Sequence, residues 1–237
     1  MIVTVMDYWN YIAYVEKPGI FQLFMAGPLR ALVFIHTALR NELNELAEDA
    51  RLVANGSGDL TALKERFDWA TYALHYHAAG EDAALFPAVE AKHPGVAMTF
   101  DDDHRTDDEL VASMEDFFTK TDEDGALETL AQLAERLADR ASLHMDKEER
   151  LLVPFVEEHF NMEEQGAILG GMMQVFPPEF MVKGVPWVFS HLDNGLQISY
   201  ATALKAAMPP EPFAMHMSNV EQRLGPDAWA PIAAAIA

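Results

Sequence analysis

From residue 28 onward, apolar residues recur three and four positions apart in four long stretches, the pattern of a buried face on an α-helix. In the first stretch Leu29, Val33, His36, Leu43, Leu46, Ala50 and Val53 share a face. Pro28 is placed as the first helical residue, and Asn55-Gly-Ser-Gly58 stops the run. The second, after an Asp59 cap, carries Leu63, Phe67, Ala70, Leu74, His77, Glu81, Leu85 and Ala88 and ends at His93-Pro-Gly95. The third starts near Asp101, with Phe100, His104, Asp108, Val111, Glu115 and Phe118 on its face. A turn with capping residues over 121–125 leads to the fourth, marked by Leu130, Leu133, Leu137, Ala141, His144, Glu148, Leu152 and Phe155. Long helices joined by short connections are expected to lie antiparallel, so the pattern predicts an all-α four-helix bundle over 28–160.

The flanks read differently. Residues 1–27 are rich in aromatic side chains (Tyr8, Trp9, Tyr11, Tyr14, Phe21, Phe24) and are expected to form an arm over the bundle. Over 161–237 a capping-box sequence, Asn161-Met-Glu-Glu164, opens a segment broken by Gly170-Gly171, Pro177-Pro178, Pro186 and Pro209-Pro210 into short helices. Its Met, Phe and Trp content predicts an extension packed on the bundle.

Two stretches match closely. His77-Ala-Ala-Gly-Glu81-Asp82-Ala-Ala-Leu85-Phe86-Pro87-Ala-Val89-Glu90 and His144-Met-Asp-Lys-Glu148-Glu149-Arg-Leu-Leu152-Val153-Pro154-Phe-Val156-Glu157 both read His-x3-Glu-acidic-x2-Leu-x-Pro-x-Val-Glu. Each is preceded, about one helix earlier, by a lone His on an apolar face, His36 or His104. The unit is thus a helical hairpin used twice. Residues i and i+4 share a helix face, so each His-x3-Glu offers an imidazole and a carboxylate to the same interior. Two carboxylates buried side by side repel and take up protons unless a cation joins them. Two metal ions remove that penalty: His36 and His77 are expected on one, His104 and His144 on the other, with Glu81 and Glu148 bridging.

Composition narrows the chemistry. Lys and Arg number 16 against 38 Asp and Glu, a formal net charge of -22, which disfavours nucleic acid and anionic membrane surfaces as partners. The chain has no cysteine, which removes thiolate sites, disulfides and iron–sulfur clusters and leaves His and carboxylate ligands, suited to iron, manganese or zinc. The apolar start, Met1-Ile-Val-Thr-Val-Met6, lacks a basic region, and no uncharged run is long enough to span a bilayer, so a cytoplasmic protein is expected. Half the residues are hydrophobic, enough for a sizeable core.

With these residues in place, 28–160 resembles the hemerythrin/HHE cation-binding family. The resemblance implies a four-helix bundle and a carboxylate-bridged, non-haem di-iron centre with an oxo, hydroxo or water bridge, held by His36, His77, Glu81, His104, His144 and Glu148. It departs from the oxygen carriers of that family at the position one turn after the third-helix His, where they carry a further His and this chain has Asp108. Asp108 can ligate, hydrogen-bond a ligand imidazole, or face water. The fourth-helix carboxylate also comes one residue earlier than in the oxygen carriers. Fewer imidazoles and more carboxylate favour ferric iron and chemistry with peroxide, O2 or NO over reversible oxygen carriage. The reading is an oxidoreductase that decomposes peroxide or activates O2 toward a small organic substrate; the alternative is a protein that binds or senses O2, NO or iron without turnover. Oligomeric state is left open. Tyr72 and Tyr76 flank the first motif and are read as packing residues, His75 as pointing away, and Asp82 and Glu149 as exposed.

Overall fold

The protein is described here by a computed structural model covering residues 27–237 apart from residue 122. The expected arm, 1–27, therefore lies outside the described residues except for Gly27. All regular structure among the described residues is helical, and no described helix is long and apolar enough to cross a membrane.

A 3-10 turn, Pro28–Ala31, opens into α1 (Leu32–Ala54). α2 is Leu60–Gly80, followed without a break by a π-helical turn, Glu81–Leu85, and α3 (Phe86–Lys92). α4 is Met98–Phe118 and α5 Ala126–Lys147. A second π-helical turn, Glu148–Leu152, joins α5 to α6 (Val153–His159). Five shorter helices follow: α7 (Met162–Met173), α8 (Pro178–His191), α9 (Asn194–Ala207), α10 (Pro210–Leu224) and α11 (Pro226–Ala235).

Local chemistry accounts for most boundaries. Gly56 at φ 73° turns the chain after α1, and the Ser57 and Gly58 amides bond back to Leu52 O. Asp59 accepts from the amides of Thr61 and Ala62 at the start of α2. α4 begins at Met98, earlier than the expected Asp101, because the Glu90 carboxylate accepts from the Gly95 and Ala97 amides and completes the turn before it. The expected side-chain cap of α5 is absent: Gly125, left-handed at φ 76°, occupies the cap position and offers no side-chain acceptor. At α7, Asn161 and Glu164 form the reciprocal capping box.

The described residues divide into two compact units, one of 27–38 and 153–237, the other of 39–152, with both divisions falling inside helical stretches. In the 39–152 unit, α4 packs along α5. The predicted stripes hold there: Leu63, Phe67, Ala70, Leu74 and Leu85, and Leu130, Leu133, Leu137, Ala141 and Leu152, are buried. Arg66 on α2 ties to α1 through Glu42 (2.8 Å), Glu45 (2.7 Å) and Asp49 (2.8 Å). In the other unit, Val185, Phe189, Ala201, Met217, Val220 and Ile232 form a core drawn from α8 to α11. Arg30 there grips Glu157 with two hydrogen bonds of 2.7 and 2.6 Å. Glu90 and Glu157, the last residues of the two repeat copies, thus both serve the scaffold.

The two π-turns begin at Glu81 and Glu148, each six residues before a proline, Pro87 or Pro154. Proline cannot donate a backbone hydrogen bond, and its ring collides with the carbonyl four residues back. A widened turn just before it, in which the Phe86 amide reaches Glu81 O, takes up the misfit without ending the helix.

Candidate metal centre

His77 lies on the last turn of α2 and Glu81 opens the π-turn that follows. His144 and Glu148 stand in the same relation after α5, and His104 projects from α4. All five side chains are buried, the two glutamates completely. Glu81, His104, His144 and Glu148 each offer a ligand atom, and these atoms lie within 4.8 Å of one another. Nε2 of His104 is 3.0 Å from Nε2 of His144 and 3.3 Å from a Glu81 oxygen. Nε2 of His77 is 3.6 Å from the other Glu81 oxygen, and Nε2 of His144 is 3.4 Å from Glu148. His36, on α1, is buried in the 27–38 and 153–237 unit.

The outer nitrogens explain why the inner ones converge. His104 Nδ1 lies 2.8 Å from Asp82 and His144 Nδ1 lies 3.2 Å from Asp103. A carboxylate can only accept, so Nδ1 of each ring donates outward and Nε2 faces inward, where a metal would replace any proton it carries. Lys147 in turn bonds Asp103 and, at 3.1 Å, the Thr99 carbonyl. The reading of Asp82 as merely exposed is therefore corrected: it orients His104. Glu149 pairs with Arg40 at 2.9 Å rather than standing free in water. Asp103 carries no signal in the sequence, because it lies outside the repeat and its pairing with His144 spans 41 positions.

The electrostatics call for positive charge. Burial and then the neighbouring Glu81 push the Glu148 carboxyl well above its ordinary value. Burial alone would lower the His104 imidazole, but the hydrogen bond to Asp82 and the adjacent Glu81 carboxylate outweigh it and raise it to about 10. Burial would likewise raise Asp103; its bonds to Lys147 and His144 hold it below its usual value. Neither Glu81 oxygen has a well-formed hydrogen bond although both are buried. Two inward ring nitrogens 3.0 Å apart beside such carboxylates fit a bound cation, which would take the place of the protons that otherwise hold the cluster together. The donor set, imidazole and carboxylate without sulfur, suits iron, manganese or zinc.

One face of the cluster opens to a cleft of about 360 Å³. His77, His104 and His144 line it, together with Tyr72, Asp107 and Asp108. On α4 the structure shifts the expected face by one residue: Asp107 is buried while Asp108 is exposed on the cleft. Burial pushes Asp107 up to about 6, with Arg140 acting against the shift. Tyr72 and Tyr76 pack edge to face with centroids 4.8 Å apart, and His75 is exposed.

The family profile described as the hemerythrin HHE cation-binding domain matches residues 27–156. Among curated proteins, the chain is 28% identical over 189 residues to the zinc finger protein BRUTUS of Arabidopsis thaliana. It is 26% identical over 194 residues and 25% over 191 to two BRUTUS-like zinc finger proteins of the same plant. In each case 78% of this chain is matched, and it spans only 15% of the relative's length. No solved structure matches the chain.

Proposed function

The chain belongs to the hemerythrin HHE cation-binding domain family, and on that premise we propose that it is a di-iron protein that binds or senses iron, O2 or NO through a site at the centre of an antiparallel four-helix bundle. The observation that carries this is the set of two buried glutamates and converging imidazoles, each outer nitrogen of His104 and His144 held by a carboxylate. Glu81, His104, His144 and Glu148 would hold one ion; by the internal repeat, His36 and His77 would supply the second, with both glutamates shared. Iron would supply a redox couple and an exchangeable position for a small ligand. The chain's own part is to keep the imidazoles in one tautomer, to neutralise the cation with Glu81 and Glu148, and to admit small molecules by the cleft beside His77, His104 and His144.

Binding without turnover is favoured over peroxide decomposition by where such a stretch is found. The matched region makes up 15% of much longer relatives, as expected of a responsive module set among other parts. Zinc in the name of those relatives does not come to this chain by way of thiolates, since it has no cysteine. A second reading, oxidation of a small organic substrate, is favoured by the size of the cleft, which falls in the range of small-molecule sites.

The test is iron content and the electronic spectrum of purified protein, before and after O2, NO and hydrogen peroxide. Two irons per chain with spectral changes that reverse on removing O2 or NO support the proposal. Sustained peroxide consumption by trace protein replaces it with turnover, and absence of bound metal overturns both readings.

A further inference from the structure

The cleft that ends on the ligand imidazoles is walled by acid. Asp108 and Glu115 lie seven residues apart on one face of α4, both are exposed, and both line it. Asp68 faces them from α2, with its charge partly met by Lys64 one turn away. Deeper in, Asp107 is 5% exposed, and its buried Oδ1 lacks a well-formed hydrogen bond, its nearest cation being Arg140 Nε at 3.5 Å. The floor is His77, His104 and His144. Acid at the mouth, a buried carboxylate oxygen on the wall and imidazoles at the base make a graded series of oxygen and nitrogen donors leading inward.

We propose that this cleft is the uptake route for the divalent cation, with Asp108 and Glu115 capturing the hydrated ion and Asp107 passing it to the imidazoles. The proposal rests on the di-iron reading above and adds to it the direction from which the metal comes. Hard oxygen donors suit a hydrated divalent ion, and a negative mouth raises its local concentration. The same charge turns away anions, so the route discriminates by sign as well as size. The overall charge of -22 strengthens the field from a distance.

The measurement is the rate at which the metal-free full chain takes up cobalt(II), followed by its visible absorption at low and high salt. D108N/E115Q removes two charges at the mouth and touches no proposed ligand. D139N/E128Q removes two exposed charges on α5 that do not line the cleft. The expected result is loading about five- to tenfold slower in D108N/E115Q at low salt, converging with the parent at high salt, with the same final cobalt content. D139N/E128Q should load at nearly the parental rate. Equal rates for both double variants and the parent overturn the route while leaving the di-iron reading intact. A lower final content in D108N/E115Q makes these residues ligands and also overturns it. No uptake by the parent sinks the di-iron reading itself.

Discussion

Replacing Asp82 by Ala isolates what an outer carboxylate does for a ligand imidazole. The Asp82–His104 contact is 2.8 Å, and the Asp82 side chain is 45% exposed. A hydrogen bond between charged groups contributes roughly 1.5–3 kcal/mol when shielded from water. Exposure of this size screens it to about 1 kcal/mol. In the metal-free chain the sign follows from His104, raised from 6.5 to about 10. Its contribution is complete below about pH 6.5 and fades as pH rises through about 10. D82A should therefore cost about 1 kcal/mol at pH 6 and little at pH 10.5, read by urea unfolding without metal. In the loaded protein the ring loses its fixed tautomer, which lowers metal affinity about 10- to 100-fold, read by competition with a chelator for ferrous iron. D82N keeps an acceptor but not the charge, so it should fall between D82A and the parent. Parental affinity in D82A, together with parental stability at pH 6, would refute the orienting role.

Further outcomes can be checked alongside. E81A and E148A should each bind fewer than two metal ions per chain by elemental analysis, since each carboxylate is shared; full occupancy in both would defeat the bridging assignment. In metal-free protein the Glu148 carboxyl, raised well above its ordinary 4.5 by burial and Glu81, should make the fold lose stability as pH rises above that ordinary value, because the native state then binds more protons than the unfolded chain. Thermal unfolding should show that metal abolishes this slope, and a slope unchanged by metal would tell against a cation between the two glutamates. L137A should cost about 3 kcal/mol in urea unfolding, since Leu137 is fully buried on α5; a loss under 1 kcal/mol would mean the core there relaxes around the cavity.

The inward grouping of His77, Glu81, His144 and Glu148 was legible because a repeat fixes it: His-x3-Glu puts two donors on one helix face whatever the partner helix does, and two copies imply that they meet. The caps at Asp59 and Asn161 were legible for the same reason, since they depend on neighbours within three residues. The widened turns at Glu81 and Glu148 had a signal in sequence, a proline six residues on in both copies. The size of the turn did not, because a proline inside a helix can as easily kink or end it.

The sequence by itself determined helices, their stops and the chemical identity of the inner donors, since these follow from periodicity and from contacts within a turn. Only the tertiary structure decided the outer shell. Asp82 holds His104 across 22 positions and Asp103 holds His144 across 41. No local preference encodes such a pairing; it arises when helices packed by their apolar faces bring the polar edges of those faces together. The exchange of Asp107 for Asp108 as the buried carboxylate has the same origin. Neighbouring residues on a helix differ by about 100° in direction, and the shape of the helices packed against α4 selects which of the two points inward.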